Sequence, residues 1–188
     1  LHGMRPADAE GMLLGAAAPM QVIPVRVADS VVGFWTSAIA EGIDFARMQG
    51  ADVVSMSMGG LPSAAWADAV NAAYDAGVVV VCAAGNSFGG LPTSLTVYPA
   101  RFNRVIAACG AMADGNPYFH IPANKMEGNA GPGSKMRTAM SAFTPNIPWA
   151  RYGAPDLIDL DGAGTSAATP QVAAAAALWL HRNGAAFP

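Results

Sequence analysis

Apolar residues follow two alternating rhythms along this chain. Between Trp35 and Gln49 they recur at spacings of three and four, through Ile39, Ile43, Phe45 and Ala46, and predict a helix. Ala64 to Ala76 predicts a second helix. Between and after these lie short apolar runs, Asp52 to Ser57, Val78 to Ala83 and Arg104 to Cys109, that predict strands. Val78-Val79-Val80-Val81 shows no polar alternation, as expected of a strand covered on both faces. Such strands alternating with helices predict an α/β fold in three layers, a mostly parallel sheet between helices. In such a sheet, functional loops gather at one edge.

The remaining segments are less regular. Gln21 to Val27 predicts the first strand, although Pro24 cannot donate to a ladder. Ala113 to Lys135 is rich in Gly, Asn and Pro and predicts a long loop, of a length that is usually functional. Thr138 to Phe143 predicts a strand, Pro145 to Pro155 a connecting loop, and Thr165 to His181 the last long helix. No repeat or linker interrupts residues 1–188, which read as one domain.

Composition narrows the function classes. The chain has 188 residues, of which 12% are charged, and a formal net charge of −3, so it carries no basic footprint for nucleic acid. No run approaches the ~18 uninterrupted apolar residues of a membrane span. Leu1-His2-Gly3-Met4-Arg5 has neither region of a signal peptide, so the sequence itself carries no address. Cys82 and Cys109 sit in apolar runs and read as packed free thiols; neither has a nearby His to suggest a thiol nucleophile or metal site.

The segment with most chemistry is Gly164-Thr165-Ser166-Ala167-Ala168-Thr169-Pro170, which opens the Ala-rich last helix. A helix start presents unpaired N–H groups and partial positive charge, so Ser166 would sit beside donors that favour developing negative charge. Gly164 would let the backbone approach a substrate closely, and Pro170 is tolerated if it lies in the first turn. The simpler alternative is that Thr165 or Ser166 caps the helix.

This segment resembles the serine-nucleophile motif of the subtilisin-like serine proteases. His2-Gly3, Ser55-Met56-Ser57-Met58-Gly59-Gly60 and Ala83-Ala84-Gly85-Asn86 match the same family in the same order. Tyr98-Pro99-Ala100-Arg101 leading into Val105-Ile106-Ala107 is also similar to it. The resemblance implies a peptide-bond hydrolase in which Ser166 is the nucleophile and His2 the general base. Asn86 would be the oxyanion donor, with the Ser166 N–H as its partner. It further implies that Ser57, Met58 and Gly59 pair with an extended peptide or protein substrate. Ala83, Ala84 and Gly85 would wall the pocket for the residue before the cleaved bond, and their small size suits a large apolar side chain.

Two departures qualify this picture. His2 is followed by Gly3-Met4 rather than the family's Gly-Thr, and a chain-terminal histidine can equally be an ordinary solvated residue. The family's triad aspartate is unmatched: Asp8, Asp29, Asp52 and Asp156 lie outside the motif. Residues 1–188 therefore read as a partial subtilase catalytic domain, with the aspartate strand supplied by an upstream segment or a second chain. A peptide-binding module without turnover and a structural or assembly module remain alternative readings. Members of the family often bind calcium, but no acidic loop here has convincing ligand spacing, so no metal or cofactor is assigned. A secreted location is implied by the resemblance alone.

Overall fold

A computed structural model describes residues 20–29, 32–33, 36–120, 126–154 and 156–184. In chain order its elements are β1 (Val32–Gly33), α1 (Thr36–Met48), β2 (Val53–Met56), β3 (Gly59–Gly60), α2 (Ala64–Asp75), β4 (Val79–Ala83), β5 (Asn86–Phe88) and β6 (Val105–Ala111). There follow β7 (Phe119–His120), β8 (Met126–Gly128), a 3-10 turn at Lys135–Thr138, β9 (Ala139–Phe143), β10 (Ile147–Ala150), β11 (Ile158–Gly162) and α3 (Gly164–Asn183).

The continuous apolar runs form the centre. Strands β2, β4, β6 and β9 make one parallel sheet in that order, with Val81 of β4 opposite Ser55 on one side and Ile106 on the other. One face packs on α1 and α2, where Ile39, Ile43, Trp66, Val70 and Ala73 meet Val80, Cys82 and Val105. The other face packs on α3 through Val172 and Ala173 against Val81 and Ala108. The three-layer arrangement expected from the sequence is thus present. Both faces of β4 are covered, which is why its sequence lacks polar alternation.

Local signals explain most boundaries. Ser63 caps α2 by accepting the Trp66 N–H at 3.2 Å, and Gly77 follows the helix with φ +83°, a left-handed conformation that glycine adopts without Cβ strain. Two segments differ from expectation. Gln21–Val27 forms no strand among the described residues, because nothing in the sheet pairs with it. The stretch Pro145–Pro155 is not all loop: β10 pairs antiparallel with β11. Pro145 and Pro148 mask this strand in the sequence. The hairpin is held by Trp149 Nε1 donating to Asp161 and by Arg151 gripping both oxygens of Asp159. Within the predicted loop Ala113–Lys135, β7 and β8 are too short to leave a period, yet they join β5 in a small antiparallel sheet.

Lys135 is buried to 3% exposure and donates to Phe102 O at 2.7 Å, Val105 O at 2.5 Å and Thr138 Oγ1 at 2.9 Å. Its ammonium ties the start of β6 to the turn before β9. Burial lowers its pKa to about 8. The unfolded chain therefore binds more protons between that value and the ordinary lysine range, and stability from this group rises with pH across the interval. Melting curves of the wild type and Lys135→Met should show the wild type more stable, with a gap that widens from pH 7 to pH 9.5. A gap that narrows would contradict the buried-ammonium account.

Candidate active site

Ser166 is the third residue of α3. The helix is entered from Ala163, which has no side-chain acceptor, and no side-chain cap bond forms. Neither hydroxyl of Thr165-Ser166 is spent on capping. Ser166 is half-buried, and its Oγ makes no hydrogen bond among the described residues. By its place in the first turn, its N–H has no intrahelical acceptor.

Thr165 is completely buried and bolts the helix start to the end of β4. Its N–H donates to Asn86 Oδ1 at 2.9 Å, its hydroxyl lies 3.1 Å from both the Gly85 N and O, and its carbonyl accepts Thr169 Oγ1 at 2.7 Å. A backbone N–H can only donate, so it fixes which end of the Asn86 amide faces it: the oxygen is engaged and Nδ2 remains as a donor. Gly164, at φ +76°, makes this possible, because a Cβ there would lie 3.0 Å from both Asn86 amide atoms. The close approach that Gly164 permits in this structure is to the Asn86 amide, where the sequence had suggested approach to a substrate.

Pro170 is not in the first turn, as the sequence suggested, but is the seventh residue of α3. It cannot give the N–H that would normally bond Ser166 O. Ser57 fills the vacancy, its Oγ donating to Ser166 O at 2.9 Å. The hydroxyl of Ser57 thus tethers the backbone of the candidate nucleophile. Ser57→Ala should lower kcat by about tenfold, equivalent to ~1.4 kcal/mol, with KM little changed. A drop in melting temperature with kcat intact would show that the tether matters only for stability.

The other residues implied by resemblance are placed as follows. Met58 precedes β3, packs on the core and accepts Cys82 Sγ through its carbonyl at 3.2 Å. Gly59 lies in β3, which pairs in parallel with β1, while Gly60 also bonds Tyr98 O at 2.9 Å. Ala83 and Ala84 are buried, and Gly85, at φ +102°, is half-buried beneath Val97, whose methyls would lie 3.0 Å from a Cβ on it. His2 lies outside the described residues. His181 is on the last turn of α3, and His120 ends β7. Burial pushes the Cys82 thiol up to about 12, which removes it as a nucleophile at neutral pH. Among the described residues, no three His, Cys, Asp or Glu side chains converge as a metal site would require.

The structure therefore brings Ser166, Asn86 and Ser57 together, and adds Thr165, which sequence reasoning treated only as a cap. The signal for Thr165 was present: a hydroxyl beside the candidate nucleophile, at a helix start where N–H groups need partners. Tyr118 was also missed. It is buried over Gly110, where a Cβ would meet its own Cβ at 2.7 Å, and burial raises its hydroxyl pKa. A Cβ on Gly128 would lie 3.4 Å from Thr165 Cγ2 and 3.5 Å from Tyr118 Cβ, so the two side chains flank that glycine.

Asn86→Leu removes the free donor and the acceptor for Thr165 together, so turnover should fall while substrate affinity changes little. The expected loss in kcat is ~10² to 10³, the magnitude known for the oxyanion-hole asparagine of subtilisin and not one computed from this geometry. An unchanged kcat, with chemistry shown to limit the rate, would contradict the role.

Among known proteins, the chain is similar to subtilisin DY of Bacillus licheniformis, 35% identical over 173 residues that cover 90% of this chain and 57% of that protein. Thermitase of Thermoactinomyces vulgaris is 34% identical over 168 residues, covering 88% of this chain and 53% of the relative. The chain thus spans about half the length of the curated relatives it matches. Among solved structures, a mutant of the protease domain of PatA superposes with a TM-score of 0.66 at 24% identity, covering 80% of this chain and 51% of that one, which supports the fold. The model of Peptidase S8, the subtilase family, matches residues 3–187 in one stretch, and the chain belongs to that family.

Proposed function

We propose that residues 1–188 carry the nucleophile and oxyanion hole of a serine endopeptidase. The observation that carries this reading is the Asn86 amide: its oxygen is held by the N–H of Thr165, the residue before Ser166, which leaves its nitrogen as a donor. Attack by Ser166 Oγ on a peptide carbonyl would place negative charge on the carbonyl oxygen. The Asn86 Nδ2–H and Ser166 N–H would receive that charge. His2 takes the serine proton as base and returns it to the leaving amine. The aspartate that orients His2 comes from polypeptide outside residues 1–188, since none within them matches the motif.

Substrate recognition in this reading uses the backbone of Ser57, Met58 and Gly59, and the pocket wall of Ala83, Ala84 and Gly85. Because β1 already pairs with β3, an incoming peptide must insert between them or displace Val32–Gly33. The test is treatment of the complete protein with a fluorophosphonate probe and an apolar peptide substrate. Labelling with hydrolysis supports the endopeptidase. Peptide binding without labelling would replace it with a peptide-binding module, and neither would leave a structural or assembly role.

A further inference from the structure

Strands β2 and β4 run side by side only as far as Met56 and Cys82, the last pair of their ladder. Beyond that pair the chain continues as Ser57-Met58-Gly59 on one side and Ala83-Ala84-Gly85 on the other, and a third segment enters between them. Val97 donates its N–H to Ala84 O at 2.9 Å, and Tyr98 O accepts the Gly60 N–H at 2.9 Å. Residues 97–98 thus bridge the two strips that the proposed function lays along the substrate.

The Val97 side chain meets both strips. A Cβ on Gly59 would lie 2.6 Å from Val97 Cγ2, and one on Gly85 would lie 3.0 Å from both Val97 methyls. Both distances are shorter than ordinary contact between carbon atoms, so the isopropyl group takes the space that a side chain on either glycine would need. Val97 is half-buried, which leaves part of it open to the cleft. It is also held in place. Its branched side chain is stiff about χ1. Thr96 before it is buried, with its N–H and hydroxyl both on Gly131 O at 3.1 and 2.8 Å, and Val97 O accepts the Arg101 N–H at 2.9 Å. The space beside Val97 is taken too: buried Asn129, whose N–H donates to Gly85 O, puts its Nδ2 2.8 Å from the same Cβ position on Gly85.

We propose that Val97 sets the substrate class of this site: it fills the pocket between Gly59 and Gly85, so the residue whose carbonyl Ser166 attacks must be small, alanine or glycine. The inference rests on the endopeptidase reading for where the substrate lies. Ala83, Ala84 and Gly85 alone suggest room for a large apolar side chain, because their own side chains are small. Val97 comes from further along the chain and stands in that room. A benzyl or isobutyl group directed between the two glycines meets methyls on an anchored backbone, and forcing extra carbons into a filled apolar space displaces side chains and backbone at a cost in free energy. A methyl group or a hydrogen makes no such demand.

The test compares acetyl-Ala-Val-Ala-X-aminomethylcoumarin substrates, with X as Ala or Phe, on the complete protein and on its Val97→Gly and Val97→Ala variants. The wild type should favour Ala over Phe by about tenfold or more in kcat/KM, the order of discrimination that a few carbons in an apolar pocket give. The Phe-to-Ala ratio should rise by about a hundredfold in Val97→Gly and by about tenfold in Val97→Ala. Both rates come from one preparation, so a variant that folds only in part lowers them together and leaves the ratio intact. The same peptides as amides, titrated by calorimetry into Ser166→Ala protein with and without Val97→Gly, read the pocket without hydrolysis. Binding that favours Ala and is reversed by Val97→Gly, in a protein that hydrolyses neither substrate, would overturn the endopeptidase and leave Val97 its role. A wild-type preference for Phe, or a ratio that neither substitution moves, would overturn the role of Val97 while the endopeptidase stands. Failure to bind or hydrolyse either peptide would overturn both.

Discussion

Ser166→Ala in the complete protein is expected to abolish covalent fluorophosphonate labelling and to reduce peptide hydrolysis by a factor on the order of 10⁶, a magnitude known for the triad serine of subtilisin. The fold should be unaffected, because the Ser166 hydroxyl makes no hydrogen bond among the described residues. Its helix start is held by other groups: the Thr165 N–H on Asn86, the Thr165 hydroxyl on Gly85, and the Ser57 hydroxyl on Ser166 O. Other serines serve as internal controls. Ser87 is completely buried, and Ser57 has its hydroxyl committed to the Ser166 carbonyl. Mass spectrometry of the labelled protein should place the adduct on Ser166, and Ser57→Ala should still be labelled. Label retained in Ser166→Ala, or an adduct mapped to another serine, would overturn the nucleophile assignment.

How far this site could be read from sequence depended on whether a residue's role is local. The layers were legible because burial on both faces removes polar residues from β4, while burial on one face gives α1 and α2 their three-and-four spacing. Ser166 and Asn86 were legible only through the motifs around them, since a serine at a helix start and an asparagine after a strand each have ordinary uses as a cap and a turn. What escaped were relations between distant positions. The vacancy that Pro170 leaves at Ser166 O is visible in the sequence once the helix start is known, but that Ser57 fills it depends on how β2 leads into β3. The Met20–Asp29 run failed to become a strand for the same reason: its alternation is right, but pairing requires a neighbour. The β10–β11 hairpin was hidden because Pro145 and Pro148 read as loop, while the cross-strand Arg151–Asp159 and Trp149–Asp161 contacts that hold it have no local signature.

The second large effect concerns the base. Ser57, Thr165 and Asn86 position the proposed nucleophile and the candidate oxyanion donor by contacts wholly within the described residues, so the proposed site's remaining need is a held imidazole. If His2 serves, it requires a carboxylate to fix its tautomer and stabilise the imidazolium. Loss of that carboxylate costs ~10⁴ in kcat in other serine proteases. Residues 1–188 alone should therefore hydrolyse an apolar peptide at least a thousandfold more slowly than the same chain supplied with the upstream segment of its own protein, covalently or as a separate polypeptide. Restoration should require both the aspartate of that segment and His2. Full activity of residues 1–188 alone, or restored activity that survives His2→Ala, would mean that another base serves Ser166.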